Sequence, residues 1–165
     1  MVKKPVLVLA ILGAIFIAMV ASGCGGPSAA QKQAKADAAQ HARRLAAYRR
    51  CNAQLGPFLV ALQDLGSRLD VGLSFGEYGN RVGNVKVAYD ALSTGQLSYP
   101  CLSNVGVPAE AALKAYLTAY DTWNNCMSDE YCTTDSIDPD LQASWATARR
   151  KVGRAQAGVV LIREQ

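Results

Sequence analysis

The sequence predicts an all-α protein, an antiparallel four-helix-bundle-like domain carrying two disulfides. Three observations carry that expectation. Apolar residues recur at three- and four-residue steps through four separate segments, the mark of helices with one buried face. Alanine is abundant and aromatic residues make up only 7% of the chain, a composition that leans towards helix. No stretch beyond residue 24 alternates as a half-buried strand would. Four helices with one apolar stripe each bury it most simply against one another.

The N-terminal segment stands apart from the bundle. Lys3 and Lys4 open the chain, residues 6–20 carry no charge, and Ala21, Ser22 and Gly23 are small. This is the three-part plan of an export signal. The uncharged run through Gly23 is also at the short limit for a membrane span, for which about 17 apolar residues can suffice. Small residues directly before Cys24 favour processing, because a peptidase cleft admits only a narrow, extended segment at the cut.

The four residues Ala21, Ser22, Gly23 and Cys24 resemble the lipobox of bacterial lipoproteins, with Ala21 where that family more often carries Leu. The resemblance covers residues 1–24 alone. It implies that the Cys24 thiol receives a diacylglyceryl group, that the signal peptide 1–23 is removed, and that Cys24 becomes the new N-terminus. Palmitate-type acyl chains would then hold the protein to the membrane, each buried CH2 contributing about 0.8 kcal/mol. An ordinary secretory signal and an uncleaved anchor are the competing readings. All three place the rest of the chain outside the cytoplasm.

Residues 24–42, beginning "CGGPSAAQKQAKADAAQ", are small and polar and read as a tether that becomes helical as it approaches the domain. Residues 43–165 are the expected bundle, one typical domain in length. Charge is uneven along this chain. Residues 24–50 hold six basic side chains and one acidic, residues 51–148 four basic and eleven acidic, and residues 149–165 five basic and one acidic. With four helices in up-down order the two termini would emerge at the same end, which would let both basic segments lie on neighbouring helices, facing the membrane side or an acidic partner. Nucleic acid is excluded as a partner, since the basic residues lack interleaved aromatics and the compartment is wrong.

The first helical stripe is Leu45, Tyr48, Asn52, Leu55, Leu59, Leu62, Gly66 and Leu69, with Cys51 at its edge. Pro57 interrupts it and predicts a kink or restart, because proline lacks an N–H and clashes with the preceding turn. Glycines in "DVGLSFGEYGN" end the helix. Ser74 and Glu77 then form a capping-box pattern that opens a second helix over about residues 75–92, whose face is Tyr78, Val82, Val85, Tyr89 and Leu92. "LSYPCLSNVGV" reads as a loop containing Cys101. Pro108 suits the first position of a third helix, with Ala109, Ala112, Leu113, Tyr116, Leu117, Tyr120 and either Trp123 or Asn124 on its face and Cys126 at its far end. Asp138 before Pro139 marks the start of a fourth, with Leu141, Trp145, Ala148, Val152, Ala155, Val159 and Ile162 as its stripe.

Beyond Cys24, four cysteines remain, and an even count in an exported domain implies disulfides. Four cysteines allow three pairings, among which sequence alone does not choose. The expected pairs are Cys126 with Cys132, closing a short loop, and Cys51 with Cys101, tying the first long helix to a distant loop. Zinc is disfavoured because no C-x-x-C occurs and the single histidine is remote.

Little else carries chemistry. His41 stands in an alanine-rich stretch with no evident cleft and reads as a surface residue. Asp129, Glu130, Asp135, Asp138 and Asp140 are clustered, but "DSIDPDLQ" lacks the central Gly and terminal Glu of a calcium loop. Gly-x-Ser-x-Gly, a phosphate loop and a dinucleotide fingerprint are absent. Tyr89, Tyr116, Tyr120, Trp123 and Trp145 have the spacing of core residues, with an apolar cavity as the competing reading.

These observations predict a membrane-anchored, extracytoplasmic, non-enzymatic interaction module of the bacterial cell envelope. Its partner would be an envelope protein or a wall component, with no metal and no cofactor. The alternatives are a small apolar-ligand carrier, a cell-wall-related enzyme, and a phage-type superinfection-exclusion lipoprotein, the last suggested by plan alone.

Overall fold

The computed structural model describes residues 26–164, and four helices account for most of them. Cys24 and the export signal lie outside the described residues. Helix α1 (Ala29–Leu69) opens on a capping box in which the Ser28 hydroxyl accepts from the Gln31 N–H and the Gln31 side chain accepts from the Ser28 N–H. These bonds satisfy N–H groups that the first turn would otherwise leave free. The segment expected to begin as a tether is therefore helical from Ala29. Its alanines favour that state, and Gln33 adds a 3.0 Å hydrogen bond to Asp37 one turn on.

The helix passes through Pro57 without a restart. Its buried face is Cys51, Leu55, Phe58, Leu59, Leu62, Leu65 and Gly66, while Asn52, assigned to the stripe from spacing, is exposed. Gly72, with φ of 97°, then turns the chain. That left-handed conformation favours glycine, and the Gly72 N–H returns to the Arg68 and Leu69 carbonyls.

Helix α2 (Phe75–Asp90) starts at the expected Ser74–Glu77 capping box and buries Tyr78, Val82 and Val85. It runs back along α1: Arg81 pairs with Asp64, and the Tyr89 ring sits 5.4 Å from that of Phe58. A 3-10 turn at Thr94–Gln96 follows.

The next segment differs from the expected loop. Tyr99–Cys101 is a helical turn and Leu102–Gly106 a π-helical one, leading directly into α3 (Val107–Met127). Pro108 supplies the physical reason. It lacks the N–H that the Asn104 carbonyl would accept in an α-helix, and the chain widens so that the Val107 N–H reaches the Leu102 carbonyl instead. Cys101 is thus a buried helical residue, bonded to Cys51 with Cα atoms 5.8 Å apart.

Helix α4 (Thr134–Glu164) begins four residues before Asp138 and carries Pro139 within its early turns. A bond lost there is near the helix end, where fewer groups are paired. The Cys126–Cys132 disulfide spans the α3–α4 connection, with Cα atoms 5.1 Å apart. Leu141, Trp145, Ala148, Val152, Ala155, Gly158 and Ile162 face inward.

The order is up-down-up-down. Arg149 lies opposite Asp70, whereas Val159 and Gln156 share a groove with Asn52 and Gly56, so α4 runs antiparallel to α1. This returns the C-terminal end to the level at which α1 enters the core. The basic residues of α4 are spread from Arg149, opposite Asp70, to Arg163 in its last turn, on a helix that neighbours α1.

Candidate functional site

Two features stand out from the packed bundle. The first is the start of α1. Residues 26–44 are all exposed, and the first buried residue among those described is Cys51. At 1.5 Å per residue, the exposed part of α1 is roughly 24 Å long. Lys32, Lys35, Arg43 and Arg44 lie on this stalk with Asp37 as its one acid. A helix this short is marginal alone; here the buried part of α1 supplies the nucleus and the alanine-rich part extends it. His41 is exposed on the stalk, away from the core.

The second feature is a groove of about 290 Å3 where α1 and α4 diverge over the side of α3. Leu62, Gly66, Val152 and Gly153 form apolar walls, and Gln63, Ser67, Asp70, Arg149 and Gln156 bring polar groups. Arg149 Nη1 bonds Asp70 Oδ1 at 2.8 Å across the rim. That pair is about half exposed, so it contributes little to stability.

Tyr116 belongs to the floor. The residue is fully buried, yet its hydroxyl has no hydrogen-bond partner among the described residues. A buried hydroxyl without a partner costs free energy, about 1–3 kcal/mol. Burial pushes its pKa up to about 12, with Asp70 adding to the rise and Arg149 opposing it; the group is a neutral O–H donor at physiological pH. Gly66 makes room for it, since a Cβ at that position would come within 3.0 Å of the phenolic oxygen. A neighbouring tyrosine differs: the Tyr78 hydroxyl donates to the Tyr116 carbonyl at 2.8 Å.

The other aromatics pack on one another. Tyr78, Trp123 and Trp145 have ring centroids 5.7–6.1 Å apart, and Phe75 stacks on Tyr120 at 5.5 Å. Burial raises the Tyr78 pKa, and its oxygen neighbours the Trp145 indole N–H, which is outside hydrogen-bonding geometry. Of the residues named as candidate cavity lining, Tyr116 is the one that borders this groove.

A wider depression of about 390 Å3 lies between the π turn and α4, bordered by Val107, Pro108 and Leu161 with Lys151 and Arg154 nearby. The acids near the α3–α4 connection act locally. Asp129 accepts from the Tyr131 N–H at 2.9 Å, and Asp138 from Gln142 at 3.2 Å. Among the described residues, no three His, Cys, Asp or Glu side chains are grouped so as to hold a metal ion. Nor is any described helix long and apolar enough to cross a membrane.

Sequence reading placed Gly66 and Tyr116 on their buried stripes but missed the groove. Its polar residues come from two helices distant in sequence, and the local signal, a glycine within an apolar stripe, reads equally as close packing. No protein family, curated protein or solved structure matches the chain.

Proposed function

We propose that this protein is an extracytoplasmic lipoprotein of the bacterial envelope, held by a lipid on Cys24, whose bundle is a non-enzymatic binding module. The observation that carries the reading is the exposed stalk. A helix that starts five residues after Cys24, spans roughly 24 Å without burying anything, and then enters a disulfide-linked core has the plan of a spacer between an anchor and a displayed domain. Two disulfides suit an oxidising compartment. Basic residues on the stalk suit an anionic surface, each contributing about 1 kcal/mol where it lies close to the head groups. Domain limits at residues 24 and 43 belong to the same proposal.

The test is the intact mass of the membrane-extracted chain, with and without Cys24→Ala. A mass that starts at Cys24 and includes a diacylglyceryl group, lost in the variant together with membrane retention, is the expected result. An unmodified Cys24 in the extracted chain would refute the anchor.

A further inference from the structure

The groove between α1 and α4 contains more hydrogen-bonding capacity than the fold uses. Its groups are a buried donor with no partner (Tyr116), two amides that each donate and accept (Gln63, Gln156), a hydroxyl (Ser67), and an ion pair. Asp70 and Arg149 cancel in charge, so the groove selects for neither an anion nor a cation. What it offers is a dense mixture of donors and acceptors over small apolar walls. Its volume of about 290 Å3 lies at the lower limit for small-molecule pockets.

A neutral polyhydroxyl ligand matches each of these properties. Every hydroxyl of a sugar ring both donates and accepts, as the two amides and Ser67 do. The ring's C–H faces suit Val152 and the two glycines, and adjacent hydroxyls suit the planar fork of Arg149 or the two oxygens of Asp70. The Tyr116 O–H then finds an acceptor. The hydroxyl is buried beside Gly66, so the side chains around it must shift for a ligand to reach it.

We infer that this groove is a binding site for a saccharide unit, with Tyr116, Asp70, Arg149, Gln63 and Gln156 as its contacts. The inference rests on the reading of the bundle as a binding module, though not on its lipid anchor, and it narrows the partner from an envelope component to a glycan. Of the two buried side-chain groups without a partner among the described residues, the Tyr116 hydroxyl and the Trp145 indole N–H, the tyrosine is the one that borders the groove, and such a local cost is the kind that binding sites retain.

The experiment is a titration of the full chain, in lauryldimethylamine oxide micelles that carry no sugar head group, with glucose, N-acetylglucosamine and maltose. Alanine and inorganic phosphate serve as zwitterionic and anionic comparisons. Backbone amide resonances of Gly66 and Gly153, on opposite walls, are the readout. At least one sugar is expected to shift both saturably, with a dissociation constant on the order of 1 mM for so small a ligand. Tyr116→Phe and Gln156→Ala should each weaken it roughly tenfold, the worth of one hydrogen bond to a desolvated group.

Tyr116→Phe should not lower the unfolding temperature, because the hydroxyl it removes has no partner. Sugars that leave both glycines unmoved would overturn the site, and saturation by alanine or phosphate alone would overturn the ligand class. Undiminished sugar binding by Tyr116→Phe would remove the tyrosine from the site, and a clear fall in its melting temperature would mean that the hydroxyl is already satisfied. Each result stands apart from the Cys24 mass, so loss of the groove and loss of the anchor are distinguishable.

Discussion

Two glycines five residues apart on α4 should respond to alanine with opposite sign. At Gly158 an added Cβ would lie 2.1 Å from the Asn104 carbonyl oxygen and 2.6 Å from its carbon, whereas at Gly153 nothing lies within 4 Å. The obstacle at Gly158 is main chain, in the π turn between the Cys51–Cys101 disulfide and α3, and it cannot rotate aside as a side chain would. Restoring ordinary contact requires α4 to move away from the turn by roughly 1 Å or more, which puts the cost at the upper part of the usual overpacking range of about 1–3 kcal/mol. Against this, replacing a helical glycine by alanine favours the helix by about 1 kcal/mol. The net expectation is a loss of about 2 kcal/mol for Gly158→Ala, from an overpacking cost near 3, and a gain of up to about 1 for Gly153→Ala. Urea unfolding followed by far-UV circular dichroism, with disulfides intact, measures both. If the two variants agreed within about 0.5 kcal/mol, the range of ordinary surface substitutions, the close approach of α4 to Asn104 would be refuted.

Two further outcomes follow from the crosslinks and the second capping box. Cys51 and Cys101 are 50 residues apart and Cys126 and Cys132 six, so replacing each pair by alanine should cost roughly 4 and 2 kcal/mol by loop closure. Equal losses in urea unfolding would count against that origin. Glu77 accepts from the Ser74 hydroxyl at 2.6 Å and the Ser74 N–H at 2.9 Å, which holds its carboxyl below the ordinary 4.5. A carboxyl lowered by folding stabilises the fold fully above that ordinary value, and the contribution fades as pH falls through the folded pKa. Ser74→Ala should move the Glu77 titration, followed by NMR, up towards 4.5; an unmoved titration would deny the box.

The bundle was legible where physics is local. Three- and four-residue steps identified most of the inward residues of all four helices, because a helix facing one core must repeat that way. The Ser74–Glu77 box marked the start of α2 to the residue, since both partners of a cap lie within one turn. The expected disulfide pairs are the ones formed. Legibility failed where neighbours decide. Cys51, Phe58 and Leu65 are buried and Asn52 is exposed because α1 contacts three helices and its buried face is wider than one stripe. Pro100 and Gly106 lie in a segment that reads as a loop and Pro108 reads as a helix start, yet a π turn accommodates the missing N–H and keeps residues 99–127 helical. The groove was illegible for a related reason: Gln63, Asp70, Arg149 and Gln156 are unremarkable on their own helices and converge only after α4 has folded back along α1.

The unbroken path of α1 from Ala29 into the core makes chain length equivalent to angle. Because each residue of a helix turns it by about 100° while advancing it by only about 1.5 Å, one residue inserted before Leu45 would scarcely change the bundle's distance from whatever holds the N-terminus. It would instead swing the groove more than a quarter-turn about the stalk axis. Such a stalk fixes the bearing of the groove relative to Lys32 and Lys35 as well as its reach.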